Sequence, residues 1–266
     1  MIGCNRAATR RFGMGGVVRN VGLRIDLAFE RRIPIKYIAV NECVDEFGRT
    51  FGASGTHFFI KLLTECSNRE ERKQFLIDFY AKNLITSFYD TVKSTKRSFS
   101  LENQYFLPWE INRVRNLGKF LGSHKIGPTP AKYLDHILDR ILGVFESIEK
   151  YGLNQPIPSP DRLIRITPMI RDNDKKFLVR DGHHRLAALS ALGIEEVGAI
   201  NEAAFWQETS LQKSIRKIFR TRSNENNSIL KTIDKSNASD WPLVTSGVVS
   251  KGDAQRFFDM VFDGSI

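Results

Sequence analysis

The sequence is poor in cysteine and contains no long apolar run. Its three cysteines, Cys4, Cys43 and Cys66, are odd in number and widely spaced, and no CxxC pair occurs. This argues against a disulfide framework and against a zinc site built on cysteine pairs. No apolar run approaches the roughly 18 residues that a membrane helix needs. The basic residues 1–16 lack the apolar centre of a secretory signal. We therefore expect a cytoplasmic protein with free thiols and no membrane span.

Acidic residues are outnumbered by basic ones. The chain has 40 Lys and Arg against 30 Asp and Glu, which gives a formal charge of +10 and an isoelectric point near 9.6. This balance favours anionic partners such as nucleotides, nucleic acid, acidic sugars or a membrane surface, and it does not choose among them. Much of the excess lies in residues 1–30 and in residues 210–222, which have the pattern of a basic amphipathic helix.

Hydrophobic periodicity predicts an α/β (α+β) fold. Residues 33–40 have the pattern of a strand, residues 57–89 are helical, and residues 131–152 form the clearest helix, with Gly152 as its stop. Two further strands, "DRLIRITPMI" and "KKFLVRD", are joined by the turn "RDND". A helix over 184–192 and the strand "EEVGAI" follow. The strands are expected to form one small mixed sheet.

The most informative stretch is "FLVRDGHHRLAALSALG", residues 177–193. A buried strand ends near Arg180, Gly182 permits a tight turn, and a helix begins at one of the two histidines that follow. The first amides of a helix carry the positive end of its dipole and form an anion site whose usual occupant is phosphate. His183, His184 and Arg185 are therefore candidate phosphate ligands, together with the backbone at Gly182.

Asp181 is unusual beside such a site. A carboxylate next to phosphate is repelled unless it holds Mg²⁺ or accepts a proton from an attacking hydroxyl. The sequence therefore predicts a nucleotide phosphate site with Asp181 as metal ligand or base. The alternative is that Asp181 only caps the helix and that the two histidines and the arginine after it are solvated or paired with acidic residues. Two adjacent histidines are a weak zinc signal, because neighbouring side chains on a helix do not face the same way.

The segment "VRDGHHRLAALSALGIEEV", with the upstream "VFESIEKYGLNQPI", resembles the ParB/sulfiredoxin-like superfamily. The resemblance covers roughly residues 100–200 and implies a small mixed sheet of that type with helical additions. It implies a three-part division of the chain. An N-terminal helical extension, 1–98, precedes a nucleotide-binding domain, 99–204, and a C-terminal helical extension, 205–266, follows.

The branches of the superfamily differ inside the motif. Sulfiredoxins have a catalytic cysteine after the glycine, where this chain has His183. Chromosome-partition ParB proteins have Glu-Arg-Arg there and a helix-turn-helix domain downstream, which the sequence does not display. The Asp-Gly-His-x-Arg form of the free-serine kinases is the most similar. In them an upstream glutamate is implicated in catalysis, and Glu110 in "LPWEINR" is the best positional match, with Glu42 second.

These patterns predict a nucleotide-binding phosphotransferase that uses ATP or ADP with Mg²⁺ on a small hydroxylated metabolite or a sugar. Asp181, Glu110 and His183 are its candidate catalytic residues. A fainter resemblance, carried by "LPWE", "SHKIGP", "DGHHR" and "WPLVTSG", is to ParB-type proteins of bacterial surface-polysaccharide gene clusters. The alternative is a protein gated by CTP or ATP that binds DNA or a protein partner without metabolic chemistry. The missing DNA-binding module counts against DNA as the partner.

Overall fold

The computed structural model describes residues 35–84, 87–94, 104–110, 115–116, 129–152, 164–204 and 230–266. The fold belongs to the α/β class, as the sequence predicts: a mixed parallel and antiparallel sheet of six strands is combined with helices. Two predicted features, the basic helix over 210–222 and the arginine-rich residues 1–30, lie outside the described residues.

The described strands are β1 Lys36–Ala39, β2 Cys43–Val44, β3 Gln104–Tyr105, β4 Arg115–Asn116, β5 Ile164–Arg171, β6 Asp174–Asp181, β7 Glu196–Asn201 and β8 Ile233–Asp234. The main sheet has the strand order β1-β7-β5-β6-β2, and β8 pairs with β5. Strands β5 and β6 form the predicted antiparallel hairpin around the turn at Asp172, whose φ is +54°. Strands β2 and β6 are parallel, as are β5 and β7. Strands β3 and β4 form a separate two-stranded sheet.

Capping residues account for several helix boundaries. Asn68 accepts a hydrogen bond from the Glu71 amide, and Ser250 accepts one from the Asp253 amide, as expected for N-caps three residues upstream. Gly264 ends the last helix with φ of +75°. The helices are α1 Phe58–Glu65, α2 Arg69–Lys82, α3 Phe88–Thr91, α4 Ala131–Tyr151, α5 His183–Ala191, α6 Pro242–Thr245 and α7 Lys251–Asp263.

The two faces of the main sheet contribute to two separate cores. Ile166 and Val179 point to the face covered by α1, α4 and α5, whereas Met169 and Leu178 point to the face covered by α7. The second core is rich in aromatic residues, and the rings of Trp109 and Trp241 meet edge to face at 5.3 Å. Helices therefore cover both faces of the sheet, and any side chain of β6 lies on one face or the other.

The main sheet takes strands from all three predicted parts of the chain. Strands β1 and β2, from the predicted N-terminal helical extension, pair with β7 and β6 of the central part. Strand β8, from the predicted C-terminal helical extension, pairs with β5. Strand pairing therefore crosses the predicted boundaries at 98/99 and 204/205. The physical reason is that a short strand completes its backbone hydrogen bonds only in a sheet, wherever its partners lie in the chain.

The described residues bear on two further predictions, free thiols and the absence of a membrane span. Cys43 and Cys66 are free thiols. Burial raises the pKa of the Cys43 thiol to about 12, and the nearby charge of Glu42 acts in the same direction, which marks Cys43 as an unreactive core residue. Among the helices that the structure describes, none is long and apolar enough to cross a membrane.

Candidate functional site

The junction between β6 and α5 is built on a β-bulge and a left-handed glycine. Arg165 pairs with Asp181 while Ile166 pairs with Val179, so that Arg180 is the extra residue of the bulge. Bulges re-aim side chains and are frequent beside functional sites. Gly182 is the N-cap of α5 with φ of +93°. A Cβ atom at Gly182 would lie 3.2 Å from the Ile164 Cα, so glycine is required by both conformation and space.

Asp181 is fixed between positive groups at this junction. Its Oδ2 accepts a hydrogen bond from Arg165 Nη2 at 2.7 Å, and its Oδ1 accepts one from the Gly182 amide at 2.8 Å. Partial burial would raise the pKa of the carboxyl, but the Arg165 hydrogen bond and charge, the Gly182 amide and the charge of Arg185 together hold that pKa below its ordinary value. Asp181 is therefore a carboxylate at neutral pH, with Arg165 and Arg185 both acting on it.

The two histidines lie on the inner side of the first turn of α5. Only 4% of His183 and 8% of His184 is exposed. The ring of His183 lies 6.3 Å from that of Phe51 and 6.4 Å from that of His57, and the ring of His184 lies 4.8 Å from that of Phe59. The structure thus places both predicted phosphate ligands against aromatic rings, whereas Arg185 is partly exposed.

Glu110 is brought next to the motif, on the sheet face opposite α5. Its Oε1 lies 2.5 Å from Arg180 Nη1, and Glu202 Oε2 lies 2.7 Å from Arg180 Nε. Burial alone would lower the pKa of the Arg180 guanidinium, but the charges of the two glutamates outweigh it and raise that pKa. Arg180 is therefore charged. Because Arg180 directly precedes Asp181, its ion pair places Glu110 next to the motif.

Glu42, the second candidate glutamate, is not brought to the junction. It is exposed and precedes β2, where Cys43 pairs with Phe177. Glu42 ends the 3-10 turn before β2, and its neighbour Cys43 is level with Phe177, four residues before Asp181. At about 3.3 Å per residue along a strand, Phe177 and Asp181 are roughly 13 Å apart. Glu110 is thus the glutamate that the fold places near the junction.

The metal prediction rests on Asp181 alone. Among the described residues there is no group of three or more His, Cys, Asp or Glu side chains that could hold a metal ion. Each carboxylate oxygen has two lone pairs, so Asp181 keeps acceptor capacity beside its bonds to Arg165 and Gly182. Mg²⁺ is commonly held by one or two carboxylates together with substrate phosphates. A single carboxylate therefore fits a metal that arrives with a nucleotide and does not fit a permanent metal site.

Several residues at the junction were missed by sequence reasoning. Arg165 belongs to a strand that was identified only by its apolar pattern, and His57 was identified only as the start of a helical segment. Arg180 carried a usable signal, because a charged side chain within a buried strand requires a buried partner. That partner, Glu202, directly follows β7, but only the strand order shows that β7 and β6 flank the same strand.

Comparisons of the chain with protein-family models, with curated proteins and with solved structures each found no match. The resemblance to the ParB/sulfiredoxin-like superfamily therefore stays a prediction carried by the residues of the motif, and the class that the structure defines is α/β.

Proposed function

We propose that the chain binds the phosphates of a nucleotide at the junction of β6 and α5, and that it transfers a phosphoryl group to a small hydroxylated metabolite or a sugar. The observation that carries this proposal is the charge balance at the junction. Arg165 and Arg185 both act on the single carboxylate of Asp181, so these three side chains sum to +1. The N-terminus of α5 adds the positive end of its dipole at the same place.

The glycine N-cap supports the same conclusion. Gly182 has no side chain, so this N-cap cannot offer a capping oxygen to the first amides of α5, as Asn68 and Ser250 do for α2 and α7. In glycine-rich turns that open a helix, such amides donate hydrogen bonds to a phosphate oxygen. Arg185 presents a planar fork of donors suited to two phosphate oxygens.

Each candidate catalytic residue has a distinct role in this proposal. Asp181 would hold Mg²⁺, which when bound neutralises phosphate charge and orients the transferred group. Glu110 is a positioning residue, because its ion pair with Arg180 anchors the end of β6. We assign proton transfer to His183, because an imidazole can both accept and donate a proton, whereas the carboxylate of Asp181 is already paired with Arg165.

The second candidate function is a nucleotide-gated protein that binds DNA or a protein partner. It is favoured by the net charge of +10. This protein would use the same phosphate site. It would differ in the nucleotide base, since CTP is the alternative to ATP and ADP. It would also transfer no phosphoryl group. DNA binding would weaken steeply with salt, whereas a kinase has no such affinity.

Titration calorimetry of ATP, ADP and CTP, each with Mg²⁺, tests the proposal. We expect adenine-nucleotide binding that weakens at least tenfold in Arg185→Ala, because a bidentate, charge-assisted contact to phosphate contributes about 1.5 to 3 kcal/mol. The matched control is Arg140→Ala, which removes an exposed arginine from α4 and should leave the affinity unchanged. Mg²⁺ titrated without nucleotide should give no binding.

Three results would change this conclusion. CTP-selective binding without transfer would favour the gated protein. Equal losses in Arg185→Ala and Arg140→Ala would show that the nucleotide binds through general charge and not at α5. Absence of binding to all three nucleotides would contradict the nucleotide site itself.

A further inference from the structure

The loop that follows β2 reaches the candidate site although it lies far from it in the sequence. Strands β2 and β6 are parallel, so residues after Val44 leave the sheet at the edge where β6 delivers Asp181. The loop, residues 45–57, is attached to α5 by a hydrogen bond of 3.0 Å from the Gly52 amide to Ser190 Oγ. Ser190 Oγ in turn donates to the Leu186 carbonyl. This loop is therefore attached to the C-terminal half of α5.

Asp45 organises the start of this loop. It is fully buried, and its Oδ1 accepts hydrogen bonds from the amides of Phe47 and Arg49 at 2.8 and 2.9 Å. Its Oδ2 accepts a hydrogen bond from Arg49 Nε at 2.8 Å. The Arg49 guanidinium lies over the rings of Phe47 and Phe58, at 4.8 and 5.2 Å from their centroids. The carboxylate of Asp45 is thus held in one orientation.

His57 at the end of the loop is oriented by a hydrogen bond at Nδ1 and by the nearby carboxylate of Asp45. Its Nδ1 accepts the Phe59 amide at 3.3 Å, which makes His57 the N-cap of α1. We therefore assign the proton of the neutral ring to Nε2. Nε2 lies 3.9 Å from Asp45 Oδ2, beyond a direct hydrogen bond but close enough for the carboxylate to favour an N–H group on that nitrogen. Only 1% of His57 is exposed.

The oriented ring of His57 packs towards His183. Phe51 stacks on His57 with ring centroids 4.6 Å apart and planes at 24°. The His183 ring lies beside both of them, at 6.3 Å from Phe51 and 6.4 Å from His57. A buried side chain packed beside two fixed rings has few rotamers open to it. We propose that His57 is a positioning residue whose ring sets the orientation of His183 beneath the first turn of α5.

This inference rests on the proposed function, in which His183 transfers a proton. It adds that the proton-transfer group is held in place by a loop outside the motif. His57 itself lies within the packed interior and acts on the reaction only through His183.

Two substitutions at His57 separate ring packing from helix capping. His57→Asn keeps an oxygen that can cap α1 and removes the ring. His57→Phe keeps a ring of similar size and removes the cap. If His57 positions His183, the long-range ¹H–¹⁵N signals of the His183 imidazole should shift in His57→Asn and stay close to wild type in His57→Phe. If capping α1 were the only role of His57, His57→Phe, which lacks the cap, would unfold at a lower temperature than His57→Asn. His136→Asn, at an exposed position of α4, is the control.

The affinity for Mg²⁺ and ADP is the second readout. We expect near-wild-type affinity in both His57 variants, because phosphate binding is assigned to Arg185 and the amides of α5, whereas His183 is assigned proton transfer. Should His57→Asn fail to fold, His57→Gln fills more of the space of the ring and takes its place. Unchanged His183 signals in a folded variant without the ring would overturn the inference. The imidazole signals are recorded without nucleotide, so this result stays separate from a failure of the chain to bind ADP.

Discussion

Replacing Arg180 by methionine is expected to lower the free energy of unfolding by about 3 to 5 kcal/mol, the loss typical when one partner of a buried ion pair is removed. Only 4% of the Arg180 side chain is exposed, and the Glu202 side chain that it contacts is only 2% exposed. Methionine fills much of the volume of arginine but removes the positive charge that faces the carboxylates of Glu110 and Glu202. Urea denaturation of wild type and variant measures this loss.

The loss in Arg180→Met should depend on pH in a defined direction. A buried carboxylate without a counter-charge takes up a proton in the folded state, while the same group in the unfolded chain is ionised at neutral pH. The folded state then binds more protons than the unfolded state, so the free energy of unfolding falls as pH rises. We expect Arg180→Met to be more destabilised at pH 8 than at pH 5, and Arg180→Met/Glu202→Gln to recover part of the loss at pH 8.

Arg171→Met is the matched control for this prediction. Arg171 also contacts two carboxylates, those of Asp259 and Asp263, but its side chain is 23% exposed. Because solvent screens such pairs, the expected loss is about 1 kcal/mol. Similar losses in Arg171→Met and Arg180→Met would contradict the view that the Glu110–Arg180–Glu202 cluster is a buried anchor of the motif.

Gly182→Ala is expected to lower the free energy of unfolding by about 2 to 3 kcal/mol and to weaken nucleotide binding. An alanine in a left-handed conformation costs about 1 to 2 kcal/mol, and at Gly182 its Cβ would also press against Ile164, 3.1 Å from Cγ1 and 3.2 Å from Cα. The methyl group would stand at the N-terminus of α5, where the phosphate is proposed to bind. Denaturation and calorimetry on the same preparation measure both effects.

Gly193→Ala separates the cost of the left-handed backbone from the cost of the contact with Ile164. Gly193 has φ of +73°, and a Cβ there would meet no atom within 4 Å. Its substitution should show the backbone cost alone, about 1 kcal/mol, and should leave nucleotide binding unchanged. If the two alanine variants lose equal stability and retain equal affinity, the close approach of Gly182 to Ile164 has no special role.

The parts of the fold that local patterns encode could be predicted from the sequence. Helix α4 follows its apolar repeat, the β5–β6 hairpin follows two strand patterns and a turn, and α5 follows the motif and ends near Gly193. The capping pair Ser250 and Asp253 likewise marks the start of α7. In each case the residues that determine the element lie inside it or next to it.

The remaining features depend on contacts between distant segments. Strand β2 has only two residues, and its parallel pairing with β6 joins positions more than 130 residues apart. No local period predicts such a pair, and the same pairing carries His57 to His183. Arg165 and Asp181 meet across the hairpin only because the bulge at Arg180 shifts the register. The residues of the motif could therefore be identified from the sequence, while their partners could not.

The measurement that tests the central claim most directly is a titration of the ¹⁵N-labelled chain with Mg²⁺ and ADP, followed through its backbone amide signals. If phosphate binds at the junction of β6 and α5, the amides of His183, His184 and Arg185 should show the largest shifts, and these shifts should be lost in Arg185→Ala. Binding that shifts other amides and leaves these three unchanged would contradict the proposed site.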